Sequence, residues 1–90
     1  MTIFRAAILD LSGEDVLIPV VIMHVVTEQD DRVEAAFQVT ESVAELLGKR
    51  DMYRIAREDG RTHDSVIEQI QRQPDGTVTF VARFSPAPQD

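Results

Sequence analysis

Few side chains in this 90-residue chain have the types and spacing to do chemistry. His63-Asp64-Ser65 contains the three residue types of a nucleophilic hydrolase triad. In a triad the carboxylate orients the imidazole while the imidazole takes the serine proton, so the three side chains must converge in space. Neighbours on a strand point to opposite faces, and no Gly-x-Ser-x-Gly elbow presents a serine elsewhere. The tripeptide is therefore read as a turn or the start of a strand. His24 lies inside an apolar run and is read as a core or interface residue. With two histidines and no cysteine, a transition-metal site would need carboxylates drawn from several loops. Glu28, Asp30 and Asp31 lie close together, but their spacing matches no calcium loop.

Gly13, Gly48, Gly60 and Gly76 are each isolated, so no glycine-rich phosphate cradle is present. Arg50, Arg54, Arg57 and Arg61 come nearest to a basic patch. On a strand Arg54 and Arg57 face opposite ways, and only Tyr53 interleaves with them, which is not a stacking platform for single-stranded nucleic acid. The net charge of −7 argues against a general nucleic-acid binder and against an anionic membrane surface. The charge is uneven. Residues 1–45 set Arg5 and Arg32 against nine carboxylates, whereas residues 46–90 carry seven basic and seven acidic side chains. This split suits either a solvated acidic face or complementary charge between copies. No enzyme, cofactor or metal is expected.

The elements that would position these residues are strands. Val16–Val26 is the most apolar stretch, and both of its alternating registers are greasy. Its β-branched residues favour a strand, and Pro19 is tolerable near the start of an edge strand but not within a helix. It is too short for a transmembrane helix, which needs about 20 apolar residues. A strand apolar on both faces must be covered on both, and a chain of this size buries only ~60–65% of its unfolded surface. Part of this strand is therefore expected to pack on another subunit, with Ile18, Val20, Ile22, His24 and Val26 as the interface.

Ile3–Leu11 alternates and forms a hairpin with the long strand through Ser12-Gly13-Glu14-Asp15. Val33–Thr40 fits a strand or a helical stripe, and strand is preferred because the hairpin needs a neighbour. Thr40 or Ser42 can cap a short helix over residues 41–47, with Ser42-x-x-Glu45 at capping-box spacing and Gly48 as its stop. Val43, Leu46 and Leu47 of that helix would plug one end of a barrel. Asp51–Glu58 reads as a strand. Residues 64–73 again fit either periodicity, and strand is preferred because two Asp-Gly turns flank them. Thr77–Phe84 alternates cleanly. The fold class expected is mainly β: a small antiparallel barrel or roll of about six strands with one short helix. It forms one domain over residues 1–84, followed by a flexible proline-containing tail over residues 85–90.

Residues 37–84 run from Phe37-Gln38-Val39-Thr40 through the capped helix and the Lys49-Arg50-Asp51 turn into Met52-Tyr53-Arg54-Ile55. An Asp-Gly hairpin, Ser65-Val66-Ile67-Glu68-Gln69-Ile70 and a closing Pro74-Asp75-Gly76 hairpin follow. This progression resembles the small β-barrel head–tail joining (head-completion or connector) proteins of tailed bacteriophages. The chain departs from that family in lacking its N-terminal helical segment and in the short loop after Thr27. The resemblance implies a non-enzymatic structural protein of a phage or prophage that forms a ring between capsid portal and tail. Its partners would be further copies of itself and portal or tail proteins, with no membrane and no sequence-specific nucleic acid contact. Lacking cysteine and a recognisable signal peptide, it is expected in the virion or the host cytoplasm rather than secreted. The competing expectation is a small acidic regulatory or inhibitory protein that docks on a basic, nucleic-acid-handling partner.

Overall fold

The computed structural model describes residues 2–48, 50 and 52–85. In chain order the elements are β1 (Ile3–Leu9), β2 (Val16–Glu28), β3 (Val33–Thr40), α1 (Glu41–Leu47), β4 (Met52–Arg57), β5 (Thr62–Arg72) and β6 (Thr77–Phe84). The six strands close an antiparallel barrel in the order β1-β2-β3-β6-β5-β4. The fold class read from the sequence is the one observed, and both ambiguous segments are strands.

Alternation fills the barrel. β3 and β6 pair without a slip from Val33↔Phe84 to Thr40↔Thr77, and their inward residues include Phe37 and Phe80, which face each other at 5.6 Å between ring centroids. Met23 from β2, Ile8 from β1, and Tyr53 and Ile55 from β4 complete the centre, all at most 1% exposed. Four irregularities bend the strands around this core: three in β2, where Leu17, Pro19-Val20 and Val26 interrupt the register, and one at Glu68 in β5. Each adds a residue to one strand and increases its twist, which a closed sheet of so few strands requires. Pro19 thus sits at a bulge near the start of β2, and because the ladder to β3 begins only at His24 this part of β2 is an edge among the described residues, as expected, where a missing donor is tolerated.

Both ends of the helix lie where the sequence places them, and one local expectation, Leu46 as part of the plug, is corrected. Thr40, not Ser42, is the N-cap, its hydroxyl accepting from the Val43 N–H at 3.4 Å. Gly48 ends the helix in a right-handed conformation (φ −66°) and donates its N–H to Ala44 O, so its freedom to take positive φ is not used. The helix buries Ala44 and Leu47 and half-buries Val43, while Leu46 points outward. The Asp-Gly turns share one construction. Arg57 N–H bonds Arg61 O across one loop and Gln73 N–H bonds Thr77 O across the other, with Gly60 (φ 90°) and Gly76 (φ 88°) in the left-handed region. These are three-residue loops. In each the aspartate accepts from the backbone N–H two residues on, Asp59 from Arg61 and Asp75 from Thr77, both at 3.0 Å. The proline tail read as flexible lies, beyond Ser85, outside the described residues.

Candidate docking surface between β2 and β3

β2 turns Val21 and Met23 inward and leaves its other face bare. Val20 is 63% exposed, Ile22 44% and Val26 64%, with Val16 and the neighbouring Ile3 of β1 also exposed. The radius of gyration is 12.2 Å, the ~12 Å expected of a compact chain of this length, so the exposure does not come from a loose fold. Covering one such aliphatic side chain is worth roughly 1.5–3 kcal/mol, which a partner could recover.

The backbone is open beside the same residues. β2 and β3 pair at His24↔Ala36, Val25↔Ala35, Thr27↔Glu34 and Glu28↔Val33, and among the described residues the ladder stops there. Continued in register it would join Ile22 to Gln38 and Val20 to Thr40. The strands instead diverge around a groove of ≈ 550 Å³, lined by Ile18, Val20, Ile22 and His24 from β2, by Ala36 to Thr40 from β3, and by Val43 of α1. The Val25 N–H bonds Thr2 O on the β1 side. Antiparallel alternation therefore turns the backbone of Met23 and Val21 toward β1 and aims the N–H and C=O groups of Ile22 and the C=O of Val20 into the groove. Unpaired strand edges of this kind are templates for another strand.

Of the residues expected at an interface, Ile18, Val20, Ile22 and His24 line this groove, and Val26 stands outward at the bulge beyond it. Sequence reasoning did not anticipate Gln38, Thr40 and Thr79 on the facing wall. Nothing in the pattern of β3 signals that its ladder to β2 will end halfway.

His63-Asp64-Ser65 forms no triad. His63 and Ser65 point into the barrel, both 1% exposed. His63 stacks on Phe84 with centroids 4.7 Å apart, and the Ser65 hydroxyl donates to Tyr53 O at 3.2 Å. Asp64 faces outward and pairs with Arg54 at 3.1 Å, so it cannot orient the imidazole. The arginines do not pool into a patch either: each has a carboxylate within 4 Å, including Arg50 with Asp10, Arg72 with Glu41 and Arg83 with Glu68. Arg57 also lies 4.4 Å above the Phe4 ring. Of the described carboxylates outside these ion pairs, Glu14 and Asp15 lie in the β1–β2 turn and Glu28, Asp30 and Asp31 at the end of β2 and in the turn after it, at opposite ends of β2, with Glu45 in α1 and Asp75 in the β5–β6 turn.

Among the described residues no group of three or more histidines and carboxylates is placed to hold a metal ion, and no helix is long and apolar enough to cross a membrane. Compared with protein-family models, with curated proteins and with solved structures, the chain has no match.

Proposed function

We propose that this protein is a non-enzymatic structural subunit of a tailed-phage or prophage particle. It acts as a head–tail joining or connector component whose copies form a ring and contact portal or tail proteins. The observation that carries this reading is the coincidence, on one stretch of β2, of an uncovered aliphatic face and an unpaired backbone edge. A barrel whose reactive side chains are stacked or ion-paired, and whose stickiest surface is a strand edge, does its work through contacts. The negative charge at both ends of β2 suits a ring around DNA, because a lumen without free cations releases no counterions and lets the duplex slide. The family resemblance of residues 37–84 supplies the choice of particle, and with it a place in the virion or the bacterial cytoplasm. Negative-stain electron microscopy of the chain, alone and mixed with portal and tail proteins of a tailed phage, tests this. Rings, free or seated on a portal or tail end, are expected, and the absence of both rings and binding would contradict it.

A second reading, an acidic regulator of a basic partner, draws on the matching of every arginine to a carboxylate, which leaves the net charge negative. Its weakness is that the surplus carboxylates lie at two ends of the barrel and not on one face. Salt-sensitive capture of a host nucleic-acid-handling protein, with no self-association, would favour it.

A further inference from the structure

β5 is a second open edge. Its first half is alternately buried between β4 and β6, but all five residues Glu68–Arg72 are exposed. β4 begins at Met52, opposite Val66, so among the described residues nothing pairs with Glu68–Arg72 on the β4 side. Gln73 gives its N–H to Thr77 O, and Gln71 and Gln69 stand opposite Thr79 and Val81 in the same register. Alternation then commits the backbone of Gln69, Gln71 and Gln73 to β6 and leaves the N–H and C=O groups of Ile70 and Arg72, beyond the bulge at Glu68, facing outward. Ile70, 53% exposed, is the apolar side chain of this overhang.

The two open edges complement each other. In the strand order β2 and β5 are three strands apart whichever way the barrel is followed, so they lie on opposite sides. A contact between unlike patches on opposite sides repeats head to tail and closes into a ring when the rotation allows. We infer that the β5 overhang Glu68–Arg72 of one copy adds antiparallel to the open β2 edge at Val20 and Ile22 of the next, this being the joint of the proposed ring. The inference rests on the assembly reading above.

Charge fixes the direction. Pairing Ile70 with Val20 places Glu68 beside Ile22 and Arg72 beside Ile18. Across β1, Ile22 is flanked by Arg5, whose contact to Glu58 in its own chain is long at 3.9 Å. Ile18 leads back to the acidic Glu14-Asp15 turn. The antiparallel arrangement therefore brings Glu68 toward Arg5 and Arg72 toward Glu14 and Asp15. A parallel one would set Glu68 toward those same carboxylates. Arg72 binds Glu41 in the single copy through one nitrogen, and a guanidinium has further donors to share.

The chain has no cysteine, so engineered ones report cleanly. The full-length variant carrying both Val20→Cys and Ile70→Cys cannot link within a molecule, because the two positions lie on opposite sides of the barrel. Upon oxidation it is expected to give a ladder of three or more linked subunits, whereas Val20→Cys or Ile70→Cys alone gives dimers at most. Native mass spectrometry of the unmodified chain accompanies this. Oligomers without the ladder would overturn this joint and leave the assembly reading standing. A monomer at every concentration would overturn both. Efficient dimers from Val20→Cys alone, with no longer ladder from the double variant, would show like edges pairing and also overturn the joint. Ile70→Pro is the second check, since by this alternation the N–H it removes faces away from β6 and past the end of the β4 ladder among the described residues. Its circular dichroism should match the parent while the concentration for half-assembly rises about tenfold or more, as loss of strand-edge bonds and one apolar contact implies. Unchanged assembly would contradict the joint.

Discussion

At the scale of single residues the two kinds of apolar side chain on β2 should behave differently. Met23 is fully buried among Phe37, Ile55 and Phe80 in the core cluster, so Met23→Ala is expected to cost about 2–5 kcal/mol in a denaturant titration. Val20 touches solvent, and Val20→Ala should change monomer stability by less than about 0.5 kcal/mol while weakening self-association. A reversal of this order would mean that Val20 is already covered within one chain. Aspartates give the second residue-level expectation. The Thr77 hydroxyl and backbone N–H hold the Asp75 carboxyl below its ordinary value. The Ser12 hydroxyl does the same for Asp10, chiefly, and the Arg61 backbone N–H for Asp59. A carboxyl lowered by folding stabilises the native state above its unfolded pKa, about 3.9, and loses that contribution as pH falls through the folded value. Thermal melts should therefore hold steady above that pH and decline below it, and Asp75→Ala should flatten part of the decline. A melt temperature that rises on acidification would contradict this.

At the scale of elements, α1 depends on one hydroxyl. Thr40→Ala should cost about 1 kcal/mol by loss of the cap, and Ser42→Ala almost nothing, because the Ser42 side chain caps nothing. Equal losses would restore the capping box that the spacing of Ser42 and Glu45 suggests. Much of this level was legible beforehand. Strands separated by Asp-Gly, a Thr-capped helix and the clean alternation of Thr77–Phe84 are local signals, and local signals survive folding. Residues 33–40 and 64–73 resisted because their apolar spacing serves two periods, and only pairing with β6 decides between them. Leu46 was misjudged for a similar reason. A seven-residue helix turns only part of its surface to the core, and tertiary placement selects Ala44 and Leu47. The early end of the β2–β3 ladder and the β5 overhang follow from bulges and strand lengths, which are properties of the closed sheet and of no single segment.

The whole molecule joins a well-filled barrel to an unfinished surface. Its inner face is complete: Phe37, Phe80, Tyr53, Ile55 and Met23 leave the core at most 2% exposed at those positions. Among the described residues two of its strand edges lack a neighbour, on opposite sides. An isolated copy with such edges is prone to uncontrolled association, and burying them in a defined contact removes that hazard. The expectation that one chain holds more apolar β-surface than it can hide follows from Val16–Val26 having two greasy registers. The structure leaves Val20, Ile22 and Val26 uncovered. What was not legible is that the backbone is open at the same place.

Sedimentation velocity of the full chain from micromolar to millimolar concentration, run beside Val20→Asp/Ile22→Asp, separates an assembling subunit from a self-sufficient barrel. The parent should shift from monomer to a discrete larger species as concentration rises, and the variant should remain monomeric with an unchanged circular dichroism spectrum. A parent that sediments as a monomer throughout, or a variant that assembles as the parent does, would contradict the account.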